Sequence, residues 1–202
     1  MIRLRDSLLA LAGLILLAPL FAALALAVAV CDGRPIFFCQ RRVGRHGRDF
    51  TLYKFRTMRP AAGAEAGAFD AGNAARVTPL GRWLRRTKLD ELPQLWNVLR
   101  GDMALVGPRP EVRKWVEAYP SRWPYVLSVR PGITDPAAIR FCHEEDLLAA
   151  AADPEAEYRA VILPQKLALY EQYVRRRGFW TDLAILWQTL AALCRRGGQR
   201  AR

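Results

Sequence analysis

Residues 8–30 read LLALAGLILLAPLFAALALAVAV, an uncharged run with Pro19 near its middle. Its length exceeds the ~20 residues that span a hydrocarbon core. Ala27 and Ala29 form the Ala-x-Ala pattern of a signal cleavage site, but the run is much longer than the ~7–15 apolar residues of a signal peptide. The bulky Val30 argues against a lipoprotein signal ending at Cys31. A plain transmembrane helix and a re-entrant one remain, and the flanking charges separate them. Arg3 and Arg5 precede the run, while Arg34, Arg41, Arg42, Arg45 and Arg48 follow it. The positive-inside rule wants both flanks in the cytoplasm, which a straight span does not allow. Pro19 removes a backbone hydrogen bond and kinks the helix. Residues 1–32 are therefore read as a re-entrant membrane anchor bent at Pro19, with a straight span as the alternative.

The remaining residues, 33–202, read as one domain, since a chain of 202 residues is short for two independent cores. FFCQRRVG and DFTLYKFRTM are two extended segments around a turn marked by Gly44 and Gly47. Arg59–Ala75 is rich in Ala and Gly without a period and reads as a mobile loop. Thr78-Pro79 is an N-cap followed by proline at the first helical position, opening a helix through Leu84. A second helix runs from about Asp90 to Leu99 and stops at Gly101, with Pro93 in its first turn. Helices are also expected over 111–119 and 154–176, the latter with Leu163, Leu167 and Tyr170 on one face. Thr181-Asp182 caps a last helix, LAILWQTLAALC, that ends at Arg195, Arg196 and Gly197. It is too short to span and apolar enough to lie on a membrane or in the core. Trp115, Tyr119, Trp123 and Tyr125 suit either a headgroup layer or a core.

The formal charge of +12, carried mostly by arginine, calls for anionic partners: nucleic acid, phosphorylated substrates or acidic lipids. The four cysteines form no CxxC, and with only His46 and His143 there is no zinc-type cluster. Scattered cysteines in such a domain read as reduced thiols facing the cytoplasm, and the two histidines as surface groups.

The chemistry-bearing stretch is RWLRRTKLDELPQLWNVLRGDMALVGPRP, residues 82–110. Asp90 and Glu91 stand at the expected start of a helix with Arg85, Arg86 and Lys88 just upstream. The helix dipole and these cations are expected to lower the carboxylate pKa values. An ionised Asp can serve as a nucleophile or a Mg²⁺ ligand, and Mg²⁺ needs only one or two carboxylates when substrate phosphates complete its shell. Gly107-Pro108-Arg109-Pro110 fixes the backbone around a guanidinium suited to bidentate phosphate contact. The same residues also fit a bland reading. Asp-Glu beside arginines at a helix start is what capping and solvated ion pairs look like, and Pro-Arg-Pro alone is a turn.

KLDELPQLWNVLRGDMALVGPRP resembles the signature of the monotopic bacterial phosphoglycosyl transferases, the bacterial sugar transferase family. QRRVG (40–44), KFRTM (54–58), TPLGRWLRR (78–86), RPGIT (130–134) and FWTDLAILWQTL (179–190) extend the resemblance along the whole chain, in order. The resemblance implies an α+β, mainly helical fold. It would hold a re-entrant N-terminal membrane helix and a compact cytoplasmic catalytic domain with a small β-hairpin and interfacial amphipathic helices. It also implies a magnesium-dependent, ping-pong transfer of a phosphosugar from a UDP-sugar to polyprenyl phosphate, undecaprenyl phosphate in most bacteria, at the bacterial inner membrane. UMP is released, and the product starts the assembly of a surface glycoconjugate. By the match, Asp90 is the nucleophile that carries a covalent phosphosugar and the metal-binding carboxylate. Glu91 is its partner in positioning or proton handling, and Arg109, between Pro108 and Pro110, contacts the nucleotide or phosphate.

Arg56, Arg85, Arg86 and Arg130 are secondary phosphate-binding candidates for which a surface or membrane-facing role fits at least as well, and Asp182 is a weaker one that helix capping explains equally well. Membrane phospholipid is an expected partner; nucleic acid is not, for want of any recognisable motif. The competing reading is a basic, membrane-tethered binding module without catalysis. Two departures stand out. Ala18-Pro19 replaces a common Ser-Pro, so the bend lacks a hydroxyl to satisfy a freed carbonyl. Asp135-Pro136 follows RPGIT where many relatives have Gly and an apolar residue, and this bears on which sugar is accepted. With the hydrophobic run at its start, the chain is expected to be a minimal form.

Overall fold

The computed structural model describes residues 2–60, 74–142 and 144–198. Most of the loop expected over 59–75, and His143, lie outside the described residues. Helix α1 (Ile2–Leu16) meets α2 (Ala18–Cys31) at a bend of 64°. No single described helix is long and apolar enough to cross a membrane, but this pair passes together on length and composition. The break falls at Leu17, not at Pro19 itself. Pro19 sits in the first turn of α2, where its missing N–H costs little. Its ring collides with the carbonyl four residues earlier, so the ladder opens just upstream.

Strands β1 (Phe37–Val43) and β2 (Asp49–Phe55) form the expected antiparallel hairpin, in register from Phe37 opposite Phe55 to Val43 opposite Asp49. The turn uses left-handed backbone at His46 (φ 57°) and Gly47 (φ 73°). Helix α3 (Pro79–Thr87) begins at Thr78, whose hydroxyl accepts from Gly81 N at 2.9 Å. A Cβ at Gly81 would lie 2.1 Å from Thr57 O, so only glycine lets α3 lie this close to the strand end. A 3₁₀ turn (Leu89–Glu91) leads to α4 (Gln94–Arg100), which ends at left-handed Gly101. The expected continuous helix from Asp90 is thus two pieces, and the acidic pair lies on the tight turn.

Strand β3 (Ala104–Val106), helices α5 (Arg113–Glu117) and α6 (Trp123–Val126), and strand β4 (Gly132–Thr134) follow. β3 and β4 pair in parallel, joining VGPRP to RPGIT. Three-residue strands are too short to show a period, so the sequence carried no signal for them. Where they meet, a Cβ at Gly132 would lie 2.1 Å from Gly107 N, and this contact is what both glycines permit.

Helices α7 (Pro136–Arg140), α8 (Glu144–Ala150) and α9 (Pro154–Glu157) run into a π-helical turn (Tyr158–Ile162) and α10 (Leu163–Arg176). The π turn, closed by Leu163 N–H donating to Tyr158 O, precedes Pro164, which cannot donate to an α-helical ladder. The last helix, α11 (Phe179–Gly198), starts before Thr181 and extends past the basic residues expected to end it.

The largest core lies among α5, α6, α7 and α10 and holds Trp115, Trp123, Leu163, Leu167 and Tyr170. Trp115 and Trp123 are therefore core residues, each buried aromatic contributing roughly 2–3 kcal/mol of apolar transfer. The N-terminal pair shares two smaller cores with the rest of the chain. Ala10 of α1 packs with Leu52, Val98 and Met103, and Leu24 and Val28 of α2 pack with Phe55 and Leu84. Much of the remaining apolar surface is exposed, including Leu16 on α1, Trp83 on α3, Trp96 on α4 and Trp180 and Trp187 on α11.

Candidate active site

The acidic pair is presented by a backbone device. Lys88, in the left-handed region at φ 59°, ends α3 and starts the 3₁₀ turn. A non-glycine residue there costs about 1–2 kcal/mol, and it reverses the chain so that Asp90 and Glu91 point inward. Both carboxylates are buried, and they have different surroundings. Glu91 Oε1 accepts from Arg109 Nη2 at 2.6 Å and from Lys54 Nζ at 3.0 Å, and Oε2 accepts from Arg109 Nη1 at 3.4 Å. Burial alone would push Glu91 up, but Arg109 and then Lys54 outweigh it and hold this carboxyl well below its ordinary range. Arg109 is in turn held protonated by Glu91 against its own desolvation.

Asp90 is pushed the other way. Burial, and then the charge of Glu91, raise it, while Lys54, Lys88 and Arg85 pull against them. The expectation that dipole and cations lower its pKa is corrected: Asp90 is off the first turn of the α-helix, and desolvation outweighs the cations. Its Oδ1 is buried with no hydrogen-bond partner. The site thus holds one carboxylate neutralised by two cations and another with an oxygen left bare.

The arginine loop is fixed from both sides. Gly107 N donates to Thr134 O at 3.0 Å, Gly132 N to Pro108 O at 3.0 Å, and Arg42 Nη1 to Pro110 O at 3.0 Å. Pro108 and Pro110 are buried, so their part is to hold backbone, and Arg109 alone reaches the site. Its contacts with Glu91 engage one side of the guanidinium and leave the remaining N–H donors of the fork for an anion.

A family model described as "Bacterial sugar transferase" matches residues 1–196. The chain belongs to this family. It is 37% identical over 182 residues to an undecaprenyl-phosphate galactose phosphotransferase of Salmonella typhimurium, covering 83% of this chain and 35% of that protein. It is 33% identical to a UDP-N-acetylgalactosamine-undecaprenyl-phosphate N-acetylgalactosaminephosphotransferase of Aeromonas hydrophila, covering 90% of this chain and 42% of that one. It is 34% identical to the exopolysaccharide production protein ExoY of Sinorhizobium fredii, over 94% of this chain and 83% of ExoY. The chain spans well under half the length of the first two relatives.

In this member of the family the other candidate residues separate. Arg85 donates from Nε to Thr57 Oγ1 at 2.9 Å and is among the cations that act on Asp90, whereas Arg86 is exposed. Arg56 is buried and donates to the carbonyls of Asp32, Gly33 and Arg34, closing the end of α2. Its Nη1 and Nη2 are engaged by these carbonyls of the C-cap and the segment just after α2, while its buried Nε has no partner. Arg130 donates to Gly101 O at 2.8 Å and lies beside Arg3. Asp182 does not cap α11: it is buried, pairs with Arg5 at 2.8 Å and accepts from Tyr173 Oη at 2.8 Å.

Residue-level reading missed Lys54 and Asn97, and it noted Asp135 only as a departure that bears on the sugar. Lys54 had one available signal: it is one of four lysines in a chain that otherwise uses arginine. Asn97, fully buried, accepts from Tyr53 N and donates to Thr51 O, pairing the free edge of β2. Asp135 caps α7 by accepting from Ala138 N, and its buried Oδ2 has no partner. Among the described residues no group of three or more His, Cys, Asp or Glu side chains could hold a metal by itself.

Proposed function

We propose that the protein transfers a sugar-1-phosphate from a UDP-sugar to undecaprenyl phosphate, releasing UMP, and so initiates assembly of a surface glycoconjugate. The observation that carries this reading is the buried, unpartnered Oδ1 of Asp90 beside a carboxylate whose own charge is already spent on Arg109 and Lys54. A desolvated carboxylate oxygen without hydrogen bonds is a better nucleophile than a solvated one. Asp90 attacks the β-phosphorus of the donor, and the bond from that phosphorus to the oxygen bridging the two phosphates breaks. The bridging oxygen leaves with UMP. The acceptor's phosphate oxygen then attacks the same phosphorus, displaces the Asp90 carboxylate and forms the polyprenyl diphosphosugar. The two displacements give ping-pong kinetics.

Arg109 contacts the departing nucleotide's phosphate with the donors that Glu91 leaves free, and Glu91 acts by position. With its carboxyl held well below the ordinary range, Glu91 is poorly suited to carry a proton near neutral pH. Asp90 would hold Mg²⁺ together with the donor phosphates, since an ion that takes much of its shell from phosphate and water needs only one or two carboxylates from the protein. When bound it neutralises charge developing on the transferred phosphoryl group.

We place the protein at the cytoplasmic face of the bacterial inner membrane, in contact with phospholipid. The bent α1–α2 pair and the exposed Trp83, Trp96, Trp180 and Trp187 support this. The deciding experiment uses protein in nanodiscs with Mg²⁺, undecaprenyl phosphate and UDP-linked galactose, N-acetylgalactosamine, glucose and their N-acetylated relatives. UMP release that needs Mg²⁺ and disappears in Asp90→Ala is the expected result. UDP release would overturn the phosphosugar transfer. Silence from folded protein across the panel would favour the basic binding module.

A further inference from the structure

Beneath the arginine loop lies a buried ionic network that the chemistry above does not use. Arg5 of α1 donates to Asp6 Oδ1 from Nε at 2.9 Å and from Nη2 at 2.7 Å. The same Nη2 donates to Asp182 Oδ2 of α11 at 2.8 Å. Asp6 and Asp182 are 3% and 1% exposed, and both pair with this one guanidinium. Asp6 also reaches strand β3 directly, and Asp182 is linked to it through Tyr173. Asp6 Oδ2 accepts from Leu105 N at 3.3 Å, and Tyr173 Oη donates to one acceptor while held at 3.1 Å from Val106 O and 2.8 Å from Asp182 Oδ1. Val106 is followed directly by Gly107-Pro108-Arg109. The chain of contacts therefore runs from α1, through Arg5, Asp6, Asp182 and Tyr173, to the strand that aims Arg109 at Glu91.

We infer that Arg5, Asp182 and Tyr173 are positioning residues: they make the geometry of Arg109, and hence donor binding, depend on the seating of the N-terminal helix. Three features favour this over a purely structural tie. The network meets β3 at two consecutive residues immediately before the arginine loop: Leu105 N–H donates to Asp6, and the Tyr173 hydroxyl shares its one proton between Asp182 Oδ1 and Val106 O. Its central cation comes from the helix pair that passes the length and composition test for a membrane segment. Arg5 and Asp6 both stand on α1, so withdrawing that helix removes them together and leaves Asp182 buried without its cation. A single Lys ammonium in place of Arg5 lacks the planar fork that bridges the two carboxylates. The arrangement makes donor capture depend on a seated anchor, where the lipid acceptor is within reach.

The inference rests on the proposed transfer reaction, and its test separates the two. Wild type, Arg5→Gln, Arg109→Gln and the double variant are compared in nanodiscs for UMP release and for equilibrium binding of UDP. Tyr173→Phe serves as a second probe that deletes the hydroxyl and keeps the buried ring. Arg5→Gln and Tyr173→Phe are expected to raise the donor KM by roughly tenfold, within the range of couplings in one hydrogen-bonded network, and to change kcat less. In the Arg109→Gln background, Arg5→Gln should add no more than about twofold, because its effect passes through the missing guanidinium. Full additivity of the two losses, or an unchanged donor KM in both Arg5→Gln and Tyr173→Phe, would overturn the inference. An inactive wild type would instead remove the transfer reading on which it stands. Thermal melting of each variant guards against loss of fold, and if Arg5→Gln does not fold, Tyr173→Phe with Arg109→Gln decides the same question.

Discussion

Replacing Asp135 by Asn isolates the energetic consequence of a buried carboxylate next to the arginine loop. Asp135 is fully buried, and its pKa is raised from an ordinary 3.8 to about 6. Burial is the main cause, opposed by the Ala138 N–H and by the charges of Arg109 and Lys166. The folded state thus holds the proton more tightly than the unfolded one. Stability supplied by the protonated acid is fully present below pH 3.8 and is lost as the pH rises through 6. A difference of about 2 units at ~1.4 kcal/mol each gives a penalty of about 3 kcal/mol at pH 8, and roughly half that at pH 5.

Asn keeps the oxygen that caps α7 and carries no charge, so the variant escapes the penalty. Asp135→Asn should therefore be more stable than wild type at pH 8 by up to about 3 kcal/mol, with the advantage shrinking as the pH falls. The measurement is denaturation of both proteins in the same detergent at pH 5, 6.5 and 8. A variant less stable than wild type at pH 8, or a difference that does not vary with pH, would refute the reasoning. It would mean that Arg109 and Lys166 hold Asp135 as a needed anion.

Glu91→Gln removes a negative charge that helps to raise Asp90, and it frees Arg109 and Lys54 to act on the remaining carboxylate. The residual activity should be strongly reduced, and the acidic limb of its kcat/KM–pH profile should move to lower pH. A limb that stays in place would show that burial alone sets the Asp90 proton affinity. Asn97→Ala strips the partners from Tyr53 N and Thr51 O on the edge of β2. It should cost about 2–4 kcal/mol of stability in denaturant unfolding, while any folded fraction keeps its donor KM.

Local chemistry was legible where neighbours in sequence suffice to produce it. The hairpin followed from two β-rich runs around Gly44 and Gly47, and the start of α3 from Thr78-Pro79. The cut in the N-terminal helix followed from Pro19, displaced by two residues because the ring acts on the turn before it. Asp90, Glu91 and Arg109 were readable as candidates because their motif is continuous. Long-range pairing was not readable. Lys54 lies on the hairpin and meets Glu91 only once β2 packs beside the 3₁₀ turn, and Arg56 closes α2 only because β2 ends beneath it. The sign of the Asp90 shift was misjudged for the same reason. Sequence shows which charges are near along the chain, but desolvation depends on what covers the group in space.

By itself, then, the sequence determined the apolar N-terminal segment and its break, the hairpin, the family and the acidic pair with its loop arginine. Each is written in adjacent residues whose backbone preferences and hydropathy act locally. Only the tertiary structure decided that Glu91 is spent on Arg109 and Lys54 while Asp90 keeps a bare oxygen. It alone turned Asp182 from an expected cap into the partner of Arg5, 177 residues away. Burial and ion pairing are properties of the packed whole, and in a low-dielectric interior they outweigh what the neighbouring residues along the chain would dictate.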